Sequence, residues 1–528
     1  MFWRRPTGRS DVLAKYGIVA SSQPLASQAG LRILQQGGNA ADAAIAAAAV
    51  LDVVEPFSTG CGGDAFALVH LPGNEKPISF NGSGRAGSGA TLDDLLDREW
   101  QGIPLRGGPP ITVPGAMHLW GHLLSEFGNL ELSDVLQPAI NYAQNGFPVS
   151  PLIAQLWNIL LPVLGNDDAR RIFTIDGSSP EIGDIMYNQD LARTFQTVAE
   201  TGVKSFYEGE IAERIVSTTK KHSGFLELED LATHETEQTT PISTSYNGLM
   251  VFEHPPNGQG FAALEMINIM EQFPIQEMGE MSTERFHAMI EGKKLAYDDL
   301  YRHNADPDFY DVPIEQLLSK DYALSRANLI DMNNAMDLEN MSMKQGPDTV
   351  YLATADEEGM AVSFINSLYM GFGSGLVAEG TGIKLQNRGN LFSLDPTHPN
   401  HYEPGKRPFH TIIPGALYRN KEFFGVFGIM GGAHQAQAHA QFVSHIADFD
   451  RSPQAALDFP RFHHDQESNT VALENGIKAD IQGQLRLKGH RLVHETSFGF
   501  GGGQAIFVNG NAWIAGSDYR KDGQAVGY

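Results

Sequence analysis

The chain has 528 residues, 42% hydrophobic and 19% charged, a globular composition with length enough for two to four domains or one large layered sandwich. Its 63 acidic residues outnumber 37 lysines and arginines, and the net charge of −26 leaves no basic stripe for phosphates, which excludes nucleic acid as a partner. The single cysteine, Cys61, rules out an intramolecular disulfide and argues against a thiolate zinc site.

The arginines near the N-terminus are not followed by an apolar stretch, and no run of eighteen apolar residues occurs; the expectation is no secretory leader, no membrane span and a cytoplasmic location. The first clear element is an alanine-rich helix capped by Asn39 and running to about Val54, with Pro56 beyond its end. So much alanine lets neighbours approach closely and predicts burial. "AFALVHL" (65–71) and "KPISFNGSGRAG" (76–87) read as the two strands of a hairpin. From "VPGAMHLWGHLLSEFG" (113–128) to about residue 220 the pattern is mostly helical. "SYNGLMVFEHPPNGQGFAALEMINIMEQF" (245–273) reads as strand, turn and helix, and "TERFHAMIEGKKLAYDDLYRH" (283–303) as a further helix. Residues 331–347 are polar and weakly patterned, as expected of a mobile surface segment.

The character then changes. "TVYLATAD" (349–356), a turn at "EEG" and "MAVSFINSLYM" (360–370) form a predicted β-hairpin behind the helix-breaking Gly346, Pro347 and Asp348. "FFGVFGIMGG" (423–432) reads as a buried strand, followed by a helix from about Ala436 to Phe449, and "GGGQAIFVNGNAWIAGSD" (501–518) closes as a hairpin. The chain is thus helix-rich in its first two-thirds and strand-rich in the last third, without an internal repeat.

A hydroxyl residue, Thr349, stands at the mouth of the central strand. A threonine hydroxyl is a weak nucleophile unless a base lies beside it, and an N-terminal threonine carries such a base in its own α-amine. An internal threonine reaches that state by attacking the preceding carbonyl and releasing the upstream chain from the resulting ester. Strand-start threonines are commonplace because of their β-propensity, so this position alone does not establish chemistry.

The wider pattern does more. Through "GGNAADAA" (37–44), "VVEPFSTGCGGDAF" (53–66), "VPGAMHLW" (113–120), "PPNGQGF" (255–261), "DTVYLATAD" (348–356), "GFGSGL" (371–376) and "MGG" (430–432), the chain resembles the γ-glutamyltranspeptidases in the same order along nearly its whole length. The resemblance implies an α+β fold, the four-layer αββα sandwich of N-terminal-nucleophile hydrolases. It also implies self-cleavage between Asp348 and Thr349 into a large fragment, 1–348, and a small one, 349–528, that stay paired, with a higher oligomer open. It makes Thr349 the nucleophile, Ser367 the second hydroxyl facing it, and the backbone N–H groups of Gly431 and Gly432 the oxyanion hole, where one lost donor costs about 10²–10³ in rate.

Departures from the family concern the substrate. The stretch that should carry two aspartates for an α-ammonium is "QNRGNLF" (386–392), with Asn390 and Leu391 in their places and Arg388 just before. Tyr369 replaces an asparagine, and His410 and Thr411 replace paired serines. An ammonium buried without a counter-charge costs several kcal/mol, so a free γ-glutamyl group should bind badly. The carboxylate anchor is Arg85, two residues beyond the family's position, or Arg388. The implied substrate is a small anionic amide without an α-amino group; hydrolysis of oxamate to oxalate and ammonia, a step of bacterial purine catabolism, fits. Alternatives are a true γ-glutamyl transferase acting on glutathione and an unprocessed, non-catalytic relative.

Other signals carry less. His434 and His439 lie about 140° apart on a helix, off a common face, and read as surface or pocket-edge residues. Zinc-binding helices need an i, i+4 pair and a third ligand. The pair His463 and His464, with Asp465, reads as a solvated turn. "FGFGGGQ" (498–504) lacks dinucleotide spacing and precedes a strand. No metal or cofactor is expected.

Overall fold

The hairpin that begins at Thr349 lies at the middle of a seven-stranded antiparallel sheet in the computed structural model, which describes residues 8–337, 348–494 and 497–528. In order across this first sheet run Gln524–Gly527, Ile18–Ser21, Asp348–Ala355, Ala361–Tyr369, Asp64–His70, Ile78–Gly82 and Glu237–Thr239. A second antiparallel sheet of seven strands contains Val12–Ala14, Ala512–Ser517, Gly502–Asn509, Glu422–Met430, Gly415–Arg419, Leu249–Glu253 and Ile242–Tyr246.

Strand periodicity explains the layering. Along the central hairpin Val350, Leu352, Val362 and Phe364 face a helical layer, whereas Tyr351, Ala353, Ala361 and Ile365 face the second sheet. Both faces are buried, which is why the hairpin reads as nearly continuous β-formers. The outer helices of the first sheet include Ala40–Val54, whose fifteen residues are all buried. Asn39 caps it through the N–H groups of Ala41 and Asp42, while the Asp42 carboxylate takes the N–H of Asn39. Beyond the second sheet lie Gly260–Met270, Thr283–His303 and His434–Phe449, packed on Leu417, Phe427, Ile429 and Phe507. The result is the αββα order, helix, sheet, sheet, helix, with one apolar layer between the sheets instead of several separate domain cores.

Several local features differ from the sequence reading. The segment before Gly260 contains two strands, because Asn247 and Gly248 both take positive φ (43° and 80°) and close a two-residue hairpin. Residues 338–347 of the expected mobile segment lie outside the described residues. The described part of it, 331–337, is tied down: the Asp331 carbonyl meets His287 Nε2 at 2.9 Å, and Met336 donates its N–H to Glu291 at 2.7 Å. His463, His464 and Asp465 belong to the strand Phe462–Asp465, not to a solvated turn, and His464 is buried. His434 and His439 are likewise buried rather than at the surface; His439 is held by Glu253 at 2.7 Å.

Both sheets contain strands from before and from after position 349. The first sheet places 348–369 between Ile18–Ser21 and Asp64–His70; the second places Gly415–Arg419 against Leu249–Glu253. The two portions of the chain therefore share both sheets. Among the described residues, no helix is long and apolar enough to cross a membrane.

Candidate active site

At the mouth of the central hairpin the register is irregular. Val350 pairs with Asn366, yet Asp348 pairs with Tyr369, so Ser367 and Leu368 together oppose the single Thr349. Such a bulge bends a strand and re-aims its side chains. Here the hydroxyls of Thr349 and Ser367 lie 3.1 Å apart, and Thr349 is 1% exposed. Tyr369 ends the pairing with φ of +77°, a conformation that costs a non-glycine residue of order 1–3 kcal/mol. That turn directs the Tyr369 N–H onto Ser367 Oγ at 2.8 Å. Ser367 thus accepts a backbone hydrogen bond on one side and meets Thr349 on the other.

The Tyr369 ring carries the next contact. The Arg388 guanidinium lies over it, 4.7 Å from the centroid, and Arg388 Nη1 donates to Thr411 Oγ1 at 2.8 Å. Arg388 is 0% exposed, and among the described residues its Nε and Nη2 have no hydrogen-bond partner and no carboxylate within ion-pair distance. Burial pulls its pKa down to about 10, against the attraction of Asp64 and Tyr369. Burial also pushes the Tyr369 phenol up to about 12, although Arg388 pulls the other way.

The glycine pair closes the circuit. Gln259 Nε2 donates to the Thr411 carbonyl and, at 2.9 Å, to the Gly432 carbonyl. Gly431 and Gly432 have φ of +136° and +58°, a backbone course that favours glycine between the strand Glu422–Met430 and the helix His434–Phe449. A linked series of contacts therefore runs from Thr349 through Ser367, Tyr369, Arg388, Thr411 and Gln259 to Gly432.

His410 and Arg85 are engaged elsewhere. His410 Nε2 lies 3.0 Å from Asp64 Oδ2, while its Nδ1 lies 3.1 Å from Asn257 Nδ2 and 2.8 Å from the Pro408 carbonyl. Burial, with the Arg388 cation, lowers the His410 pKa despite Asp64. Both its nitrogens are committed to protein partners. Arg85 was expected to share a strand face with the site, but that strand stops at Gly82. Its guanidinium instead reaches Asp306, Asp308, Glu237 and the Gly405 carbonyl, a surround that neutralises it. Asn390 donates to the Ile103 carbonyl, and Leu391 joins an apolar cluster with Tyr369 and Phe409, so neither supplies a carboxylate.

Sequence reasoning missed Gln259, Asn257 and Asp64, although all three lie inside the quoted segments "PPNGQGF" and "GCGGDAF". Nothing local marks them; their value comes from the strands that bring residues 64, 257–259 and 410–411 together. Two surface grooves of about 910 and 850 Å³, one beside Met250 and Tyr418 and the other beside His122 and Leu130, contain none of the catalytic candidates.

A two-sheet αββα core with a strand-mouth threonine facing a second hydroxyl defines the class of N-terminal-nucleophile amide hydrolases. The chain belongs to the gamma-glutamyltranspeptidase family, whose profile matches residues 26–528, and it is a C–N amide hydrolase of that family. It is 38% identical over 526 residues to a glutathione hydrolase-like YwrD proenzyme of Bacillus subtilis, covering 98% of this chain and 99% of that one. Identity to an oxamate amidohydrolase proenzyme of Klebsiella pneumoniae is 32% over 534 residues, covering 98% of this chain and all of the other. A solved cephalosporin acylase from Bacillus halodurans superposes with a TM-score of 0.93 at 42% identity, over 100% of this chain and 98% of that one.

Proposed function

We propose that the chain cuts itself between Asp348 and Thr349 and then uses Thr349 to hydrolyse amides whose acyl group carries a carboxylate but no α-ammonium. The carrying observation is Arg388, a fully buried guanidinium with two nitrogens unpartnered among the described residues. A buried cation in that condition is stabilised by an anion that can take both donors, and a carboxylate matches the guanidinium fork. The positions where the family holds an ammonium are occupied by Asn390 and Leu391.

In this reading Arg388 and Thr411 hold the substrate carboxylate above the Tyr369 ring. The freed α-amine of Thr349 takes the proton of its own hydroxyl, and Oγ1 attacks the amide carbonyl. Backbone N–H groups at Gly431 and Gly432 stabilise the oxyanion. Collapse breaks the C–N bond, the amine leaves with the proton, and water then releases the acid from the Thr349 ester. Ser367 holds Thr349 Oγ1, Gln259 positions the Gly432 and Thr411 backbone, and the two fragments remain paired through their shared sheets.

Oxamate is the smallest amide of this class, and the resemblance to an oxamate amidohydrolase supports it; longer ω-carboxyacyl amides such as glutaryl amides share the chemistry. The relative named as glutathione hydrolase-like supports γ-glutamyl amides as the second reading. An amine-release screen over oxamate, a glutaryl anilide and a γ-glutamyl anilide separates them. The proposal expects turnover of one or both of the first two at least tenfold faster than of the third. Preference for the γ-glutamyl compound would overturn the assignment of Arg388, and no release from any would overturn the catalytic reading.

A further inference from the structure

On the far side of the second sheet, away from Thr349, three buried metal-ligating side chains converge. His287 and Glu291 stand four residues apart on one face of the helix Thr283–His303, and His490 follows the helix Ala479–Leu487. One ligand atom from each falls within 4.8 Å of the others. All three are buried; the side chains of Glu291 and His490 are 0% exposed.

We propose that His287, Glu291 and His490 bind a divalent transition-metal ion, zinc by the character of the donors, that ties the residues preceding the processing segment to the C-terminal third of the chain. The donor set is two imidazoles and a carboxylate, supplied by the i, i+4 helical pair plus a third residue that zinc sites use. Magnesium and calcium, which prefer an all-oxygen shell, fit it poorly.

Outer contacts already orient the donors. His287 Nε2 donates to the Asp331 carbonyl at 2.9 Å, which fixes the ring tautomer and leaves the Nδ1 lone pair facing His490 Nε2 at 2.7 Å. A backbone carbonyl behind the non-ligating nitrogen is the usual support of a metal-bound histidine. Two neutral imidazoles at this distance share one proton. His490 Nδ1 then presents a lone pair that lacks a hydrogen-bond partner among the described residues and lies 4.0 Å from Glu291 Oε1. A metal ion in the place of the shared proton takes the Nδ1 lone pair of His287 and the Nε2 lone pair of His490, whose proton moves to the unpartnered His490 Nδ1 so that both rings stay neutral, and a Glu291 oxygen adds as the third ligand. With bonds of ~2.0–2.1 Å, tetrahedral ligands lie about 3.3 Å apart, so the rings need part by only about 0.6 Å.

Two cations border the site. Lys294 Nζ lies 2.8 Å from Glu291 Oε1 and donates to the Met336 carbonyl at 2.7 Å, and Lys488 donates to the Met332 carbonyl. They weaken affinity without removing a ligand. The same contacts fasten residues 331–336, upstream of Thr349, onto donors from both sides of residue 349. The ion therefore links the two portions of the chain, independently of which amide the active site accepts.

The test uses the purified full-length gene product in whatever processed form it adopts. After loading with zinc and dialysis, metal content and a zinc titration are measured for wild type, His287→Gln, His490→Gln, Glu291→Gln and Lys294→Gln. Cobalt(II) is titrated into the same proteins and its visible absorption followed. Wild type should retain one zinc and give an intense tetrahedral-type cobalt spectrum. Each histidine variant should lose affinity by more than about 100-fold, beyond the 10- to 100-fold of an outer-shell change. Glu291→Gln, which keeps the side-chain shape, should weaken binding, and Lys294→Gln should tighten it. Failure of wild type to take up zinc in millimolar excess, or equal affinity in the two histidine variants and wild type, would overturn the proposal.

Discussion

Replacing Arg388 with methionine should separate activity from stability. The guanidinium is 0% exposed, has one hydrogen bond, to Thr411, and has no carboxylate within ion-pair distance among the described residues. Its folded pKa, about 10, lies below the ordinary 12.5, so the fold disfavours the protonated form. Stability from this group is thus lower at neutral pH than it would be above about pH 10, where the folded state loses the charge. A methionine of similar length removes that buried charge, a change that is commonly neutral or stabilising by ~1–4 kcal/mol. The orphaned Thr411 hydroxyl gives back about 1 kcal/mol. The net expectation is unchanged or higher stability, by up to about 3 kcal/mol.

Activity should move the other way. Truncating one partner of a buried, hydrogen-bonded charge pair costs ~2–5 kcal/mol, which at about 1.4 kcal/mol per decade is a fall in kcat/KM of roughly 30- to several-thousand-fold. The assay is steady-state amine release from the best carboxylate-bearing amide, beside a neutral amide of similar size, with urea unfolding on the same samples. A loss under about threefold, or equal losses on charged and neutral substrates, would refute the assignment. So would a large drop in stability, since it would make Arg388 a structural cation.

Thr349→Ala should remain a single 57.6 kDa band on a denaturing gel and release no amine, while Thr349→Ser should still process. Ser367→Ala removes the hydroxyl 3.1 Å from Thr349 and, by the worth of one neutral hydrogen bond, should slow band splitting by roughly 3- to 10-fold in a time course. Gln259→Leu frees the Gly432 and Thr411 carbonyls; kcat should fall at least tenfold with a smaller change in KM, and an unchanged kcat would remove Gln259 from the positioning role. Burial lowers the pKa of His70 from 6.5 to about 4 and those of His234 and His254 to about 3. The unfolded chain therefore takes up these protons first: stability is full above about pH 6.5 and falls below it, by up to ~1.4 kcal/mol per pH unit for each histidine. Urea midpoints measured from pH 7 to pH 5 check this, and a flat profile would contradict it.

The order of elements was legible because each carries a local signal. Asn39 makes the predicted cap of the alanine helix, and the β-formers of 349–356 and 360–370 announce the hairpin; that Asp42 completes the cap and that both hairpin faces are buried came from the structure. Thr349, Ser367 and the glycine pair were found through motif order, and the structure brings the two hydroxyls together. Arg85 shows the limit of that method. Its reading assumed a strand that continued, whereas the strand ends at Gly82 and three carboxylates from residues 237, 306 and 308 claim the guanidinium.

By itself, then, the sequence outlined most of the elements, singled out Thr349 as the candidate nucleophile and showed the absence of carboxylates at 390–391, all matters of local residue type and spacing. Only the tertiary structure decided which arginine stands unpaired, because pairing depends on contacts between residues hundreds of positions apart. It likewise brought Gln259 to Gly432, committed His410 to Asp64, and assembled His287, Glu291 and His490 from two helical regions with no common motif. Long-range strand pairing is the physical cause: it turns distant, individually unremarkable side chains into neighbours and fixes the charge each one meets.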